Sequence, residues 1–352
     1  MKYSTLLFIL MLICSCGDDD NMMNPPQNSN PDPDEWLIPQ NEFRDGGPGL
    51  DGIPSIDQSN FTIAREVDFL DLEELVLGIR VGNVIKAYPH SILDWHEIVN
   101  DRIGNEHIAL TYCPLTGTGV GWDRMVNQTE TTFGVSGLLY NSNLMPYDRA
   151  TGSIWSQQLL KSVNGTLIGN RIELHSFVEM SWESWLGAYP VSEVMNRETG
   201  FDRDYNRYPY GDYRTNDNNI IFPVNATDNR LNAKDRVLGV IINENVKAYP
   251  FNTENPDIEL IEDEYLNQEL LVVRNATRNY IVAFLKPEGG RNYEALSENA
   301  FPNIIQDSNG TLYDLMGRSS NNSGQELKLA DQFIGYWFSW GTFYPGLELY
   351  GT

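Results

Sequence analysis

The chain has 352 residues, 24 Lys and Arg against 49 Asp and Glu, and a net charge of −25. A surplus of that size excludes docking on nucleic acid or on anionic lipid through a basic surface, since both reward clustered positive charge. Apolar content is ordinary, at 41%, and the length after any leader and tether is enough for one large or two modest packed bodies.

The N-terminus reads as an export signal. Lys2 supplies a positive start and residues 6–13 are an unbroken apolar run. Eight residues suit a signal-peptide core and fall short of the roughly 20 needed to span a bilayer. Ile13-Cys14-Ser15-Cys16 resembles the lipobox of bacterial lipoproteins. Cleavage before Cys16 and lipidation of its thiol are therefore expected, with the membrane as partner through that lipid. Removing residues 1–15 takes away one Lys and no acid, leaving a charge of −26. Gly17-Asp18-Asp19-Asp20 resembles the acidic signal that sends lipoproteins of the Bacteroidetes to the outer face of the outer membrane. A surface-exposed outer-membrane lipoprotein is the expectation, with a periplasm-facing one as the alternative. Residues 16–40 are rich in Asn, Pro and Asp and predict a disordered tether.

One phrase then occurs twice. Leu77-Gly78-Ile79-Arg80-Val81-Gly82-Asn83-Val84-Ile85-Lys86-Ala87-Tyr88-Pro89 returns as Leu238-Gly239-Val240-Ile241-Ile242-Asn243-Glu244-Asn245-Val246-Lys247-Ala248-Tyr249-Pro250. Each copy alternates apolar residues around a turn and predicts a β-hairpin. Ile108-Ala109-Leu110 corresponds to Leu270-Leu271-Val272, and Trp182-Glu183-Ser184-Trp185 to Trp337-Phe338-Ser339-Trp340. The offsets are 161, 162 and 155 residues, measured from Leu77 to Leu238, Ile108 to Leu270 and Trp182 to Trp337. The order is kept, so the expected architecture is mainly β, with α+β as the alternative. It comprises two pseudo-symmetric, antiparallel halves with short helices, over residues 41–200 and 225–352. Short helices are expected near 181–188 and after Pro89. The polar, aromatic stretch 201–224 reads as an ordered loop between the halves, packed over the body.

Chemistry-bearing residues concentrate in the first half. Cys14 leaves with the leader and Cys16 takes the lipid, so Cys113 is the only thiol of the mature body and can form no intrachain disulfide. His90, His96 and Glu97 precede a strand that pairs, on this reading, with the one ending at Cys113. The second half has Asn275 in place of Cys113 and no counterpart of His96. Three readings stay open. Cys113, His96 and His90, helped by Glu97, make a zinc or copper site. Alternatively Cys113 is a nucleophile, His96 lowers its pKa and Glu97 or Asp101 orients the imidazole. In the third, the groups satisfy the core or line a ligand cleft. Asp101, Ser136, Asn141, Asp148, Arg149 and Trp155 are further cleft candidates, and Trp95, Trp122 and Trp155 suit stacking on a glycan or other planar ligand. His107 and His175 read as capping or packing residues. A non-enzymatic surface module that binds glycan, peptide or protein is the rival of a chemical centre.

Several motifs carry a resemblance. Asp51-Gly52-Ile53-Pro54, Trp95-His96-Glu97-Ile98-Val99-Asn100-Asp101, Thr111-Tyr112-Cys113-Pro114-Leu115, Phe133-Gly134-Val135-Ser136-Gly137, Tyr147-Asp148-Arg149 and Ser153-Ile154-Trp155-Ser156-Gln157 resemble the uncharacterised bacterial family DUF3179. The resemblance covers nearly all of residues 46–350 and implies a shared fold without an established activity. Many relatives read Cys-Pro-Leu-Cys where this chain has Cys113-Pro114-Leu115-Thr116. The resemblance therefore implies neither a dithiol redox role nor a two-thiolate metal site here.

Overall fold

Gly82 and Asn83 turn the chain so that Leu75–Val81 folds back on Val84–Pro89 with Val81 opposite Val84. This hairpin is the seed of the first half. In the computed structural model, which describes residues 35–251, 255–289, 291–320 and 324–352, it is extended on both sides. Val178–Ser181 pairs antiparallel with Leu75–Val81, and Glu193–Met195 pairs parallel with Val84–Pro89. Phe61–Ile63 closes the edge. The fold is mainly β, built from antiparallel sheets, with three short α-helices among the described residues.

The same strand order and sense recur in the second half. Gln332–Tyr336, Arg236–Ile242, Asn245–Pro250 and Glu348–Leu349 form a sheet in that order, antiparallel twice and then parallel. Its hairpin turns on Asn243 and Glu244, both with positive φ, the backbone that two-residue hairpins favour. A helix follows each outer strand: α2, Trp182–Ala188, and α3, Trp337–Phe343. Each lays a tryptophan over a strand glycine. A Cβ on Gly78 would come within 1.9 Å of Trp185, and one on Gly239 within 2.2 Å of Trp340. The glycines in the repeated phrase are there because an indole occupies the space of a side chain.

The second shared unit is an antiparallel sheet. In the first half Ile98–Ile103, Glu106–Cys113 and Thr118–Asp123 pair in sequence, with Ile98 opposite Thr111. In the second, Glu259–Tyr265, Gln268–Asn275 and Tyr280–Leu285 do the same. Between hairpin and sheet the first half inserts a helix, α1 (His90–His96). The described residues at the corresponding place in the second half, 251 and 255–258, are irregular.

The cores are not confined to one half. One cluster joins Cys113, Trp122, Phe133 and Trp155 to Val237, Phe333, Trp337 and Trp340; another joins Val76, Val178 and Trp185 to Leu271, Val282 and Ile304. At roughly 25 cal/mol per Å² of apolar surface, indoles buried this completely are among the strongest single contributors to the fold. Tyr336 N–H also donates to Thr116 O at 2.8 Å, and Tyr344 OH to Gln158 O at 2.6 Å.

The predicted tether ends earlier than expected. Leu37 N–H donates to Val163 O at 2.9 Å, Ile38 is buried and Trp36 stacks on Phe43 at 4.5 Å. Residues 35–40 are thus docked, because Trp36 and Ile38 give that stretch apolar surface to bury. The leader, Cys16 and residues up to 34 lie outside the described residues.

Candidate functional site

The site is organised by α1. Pro89, extended at φ −66°, stands at its N-cap, and the helix runs only seven residues before Glu97 stops it. Glu97 is left-handed, with φ 58°, and its N–H donates to Leu93 O at 2.8 Å. A non-glycine residue in that conformation costs about 1–2 kcal/mol and persists only where the surroundings over-determine it. His90, Asp94 and Glu97 are spaced i, i+4 and i+7, which places all three along one face. All three are buried.

Each of these groups meets a different partner. His90 Nδ1 lies 3.1 Å from Tyr112 OH, and its Nε2 faces Glu179 Oε2 at 3.2 Å, out of line for a hydrogen bond. Burial lowers the His90 pKa despite the carboxylate. Burial also acts against ionised Glu179, but Arg236 and then His90 outweigh it and bring that carboxyl down to about 2. Asp94 accepts two hydrogen bonds from one Arg214 nitrogen, at 2.5 and 2.6 Å. Burial outweighs that pairing and pushes Asp94 up to about 7. Glu97 is pushed up to about 8, by burial first and by the Asp94 charge, although Tyr210 OH donates to it.

Cys113 follows Tyr112, whose N–H donates to Glu97 O at 2.6 Å. It closes the strand Glu106–Cys113, and its thiol donates to Ser142 O at 3.6 Å. Burial, with Glu97 adding to it, pushes the thiol up to about 11, while hydrogen bonding from the Thr116 side chain acts the other way. A thiol in that state is not an activated nucleophile.

His96 takes no part. Its Nδ1 is 2.8 Å from Pro54 O, which can only accept, so that nitrogen carries the proton. Nε2 then accepts from Tyr205 OH at 2.7 Å, and Thr199 donates to Tyr205 at 2.5 Å. Both ring nitrogens are committed, and burial lowers the His96 pKa. The metal trio of His90, His96 and Cys113 is therefore not assembled. Among the described residues no group of three or more His, Cys, Asp or Glu side chains is placed to hold a metal ion. Of the expected catalytic set, Glu97 and Cys113 lie at the same end of one hairpin, and His96 is bound to Pro54 and Tyr205 instead. Glu97 leaves the helix through its left-handed backbone, and the two neighbouring side chains meet different partners.

The cleft candidates are dispersed and structural. Asp101 holds Lys86 Nζ at 2.8 Å and Tyr88 OH at 2.6 Å. Asp263 does the same for Lys247 and Tyr249, at 2.8 and 2.9 Å. An arrangement present in both halves belongs to the scaffold. Ser136 Oγ donates to Met145 O at 2.5 Å, and Asn141 Oδ1 accepts from Asn225 N–H at 2.9 Å. Asp148 accepts from Thr151 and, at 3.1 Å, from Trp155 Nε1. Arg149 bridges Asp51, Ser55 and Asp57, fastening the Asp51-Gly52-Ile53-Pro54 motif to the first half. Trp122 and Trp155 are wholly buried, packed on Phe133, so neither offers a stacking face. Trp95 is half-buried, flanked by the Arg203 and Arg207 guanidiniums. His107 faces Glu130 at 2.9 Å, and His175 sits half-buried on an edge strand.

Residues 201–224 carry the partners that sequence reading missed. Tyr205 reaches His96, Arg207 O accepts from Trp95 Nε1, Tyr210 reaches Glu97, Tyr213 OH donates to Leu115 O at 2.7 Å, and Arg214 reaches Asp94. The segment contains only one turn of 3-10 helix, Tyr213–Thr215. It is an irregular cover held on α1 by its own side chains. Its signal in the sequence is the density of tyrosines. Under it, Glu97 and Tyr210 border a cavity of about 60 Å³ whose other walls include Leu115, Val135, Leu144 and Phe222.

The family described as "Protein of unknown function (DUF3179)" matches residues 50–347. The chain belongs to that family. The match spans both halves together with the covering segment, so the family unit takes in α1 and everything that packs on it. No curated protein and no solved structure matches.

Proposed function

We propose that the chain is an exported lipoprotein, anchored through lipid on Cys16 to the outer membrane with its acidic body outward. In its first half, Cys113 and Glu97 form a thiol–carboxyl centre closed by residues 201–224. The observation that supports this reading is that the one described cysteine closes the strand whose Tyr112 N–H donates to Glu97 O at 2.6 Å, while the buried, left-handed Glu97 and Tyr210 border a small cavity. Both groups hold their protons at neutral pH. With its pKa near 11, the thiol is ionised in about one molecule in ten thousand at pH 7. The centre is therefore a binding site in its closed form, and reactivity requires the cover to move. Two protonated donors fall short of the four ligands of a closed zinc site, which favours a small neutral ligand over zinc or copper.

The test is the rate at which Cys113 of the native protein reacts with an aromatic disulfide reagent. Slow labelling in wild type and faster labelling in Tyr210→Ala and Arg214→Ala, at unchanged secondary structure, are expected. Equal rates in all three sink the covered-centre reading. Stoichiometric zinc or copper uptake, lost in Cys113→Ser and Glu97→Gln, would replace the neutral ligand by a metal. Incorporation of labelled palmitate, abolished by Cys16→Ser, together with digestion of the body by protease added to whole cells, tests anchor and orientation.

A further inference from the structure

A second cavity, of about 230 Å³, lies between α1 and the covering segment. Its wall carries three arginines, Arg197, Arg207 and Arg214, in a chain whose net charge is −25. Three carboxyl groups line it; Asp71 is solvent-exposed and the other two are engaged. Asp94 is held by Arg214, and Glu74 accepts from Ser91 N–H at 3.2 Å. The donors are not all engaged. Arg197 Nε is shielded from solvent and has no hydrogen-bond partner, and the shielded Ser91 Oγ has only a poorly aligned one in the Glu74 carboxylate. A buried donor left without an acceptor costs about 1–3 kcal/mol, so these two on one cavity wall mark a place where acceptor atoms are missing. Arg197 makes one bond, from Nη2 to Phe69 O at 2.9 Å, and the Arg207 guanidinium stands 5.7 Å from the Trp95 ring.

We propose that this cavity binds a small molecule bearing an oxyanion, a phosphate or a carboxylate, through Arg197, Arg207 and Ser91. Guanidinium groups and a hydroxyl supply the donors such an anion takes. The volume is below the roughly 300 Å³ of sites for drug-sized ligands, so the ligand is compact. Rotation of the Ser91 and Arg197 side chains turns these donors onto the anion. Burial raises the pKa of Glu74 and Asp94, which reduces the negative charge an anion meets there. The proposal does not depend on the thiol–carboxyl reading, since Cys113 and Glu97 are not on this wall.

The experiment is calorimetric titration of the full mature protein with inorganic phosphate and, separately, with succinate. Saturable one-to-one binding of either supports the site, and the anion that binds identifies the source. In the Arg197→Gln/Arg207→Gln double variant, affinity is expected to fall at least about tenfold at an unchanged melting temperature. Ser91→Ala gives a second reading should the double variant fail to fold, and weaker binding is expected there too. Arg230→Gln, whose side chain pairs with Asp228 elsewhere, should bind as wild type does. Cys113→Ser should also bind normally, which separates this site from the thiol centre. Absence of saturable binding for both anions, or equal affinity in wild type, the double variant and Ser91→Ala, overturns the proposal.

Discussion

Arg214 holds both carboxylate oxygens of Asp94 from 120 residues away, at 2.5 and 2.6 Å, and so fastens the covering segment to α1. Asp94 is almost fully buried and Arg214 is 36% exposed. Removing the arginine strands the carboxylate. Because half of the pair is wet, the expected cost of Arg214→Ala is about 2 kcal/mol, below the 3–5 kcal/mol of a fully buried pair. It should be larger at pH 8 than at pH 6, since Asp94 in the wild type ionises near pH 7. Urea unfolding at the two pH values measures the difference, and equal values would show that Asp94 is not the partner that matters.

Glu97 makes a separate prediction about pH. Its folded pKa of about 8 lies above the ordinary 4.5. The unfolded state therefore loses its proton first, and stability falls as pH rises from about 4.5 through 8. His90 and His96 act oppositely below about pH 6.5, because burial lowers their pKa and acid favours the unfolded, protonated form. Asp94, half ionised near pH 7, adds a smaller loss in the same direction up to about pH 8. Glu97 dominates the interval from pH 7 to 8 and should contribute a loss of about 1 kcal/mol across it. Glu97→Gln should flatten that slope, as read by melting temperature; a slope unchanged in the variant would place the titration elsewhere.

The two strand glycines offer a matched test of packing. Gly78→Ala and Gly239→Ala each drive a methyl into an indole, at 1.9 and 2.2 Å. Overpacking of this kind costs about 1–3 kcal/mol or more, and both variants should be destabilised similarly in chemical denaturation. Gly82→Ala, where a side chain meets nothing but φ is +57°, should cost only about 1 kcal/mol.

The Lys86–Asp101 and Lys247–Asp263 pairs should also behave alike. Asp101→Asn leaves Lys86, only 9% exposed, beside Tyr88 without its close carboxylate, as Asp263→Asn does for Lys247. About 2–3 kcal/mol is expected for each, with labelling of Cys113 unaffected. A change in the thiol reaction on Asp101→Asn would return that residue to the site from which its geometry removes it.

How legible the molecule was in its sequence depends on the range of the interaction. The hairpins at 75–89 and 236–250, the pairing of 98–103 with 106–113 and the helices at 182–188 and after Pro89 are local, and period-two patterns, turn residues and caps specify them within a few residues. Cys113 could be singled out by counting alone. The error at His96 was also local in origin. Both it and Cys113 sit near the same end of a hairpin, but the His96 ring turns to Pro54 and Tyr205, and the left-handed break falls at the next residue, Glu97.

The thiol thus shows where sequence and tertiary structure divide the work. Sequence by itself determined that the folded body carries one cysteine, that it is mainly β, and that its repeated phrases form the same hairpins. These follow from composition and from contacts between near neighbours. Tertiary structure alone decided that Glu97 is buried at a small cavity, that Arg214 crosses to Asp94, and that an irregular run of tyrosines covers both. Those choices depend on side-chain direction and on burial produced by packing distant segments together, and burial is what holds the proton on Glu97 and on the thiol.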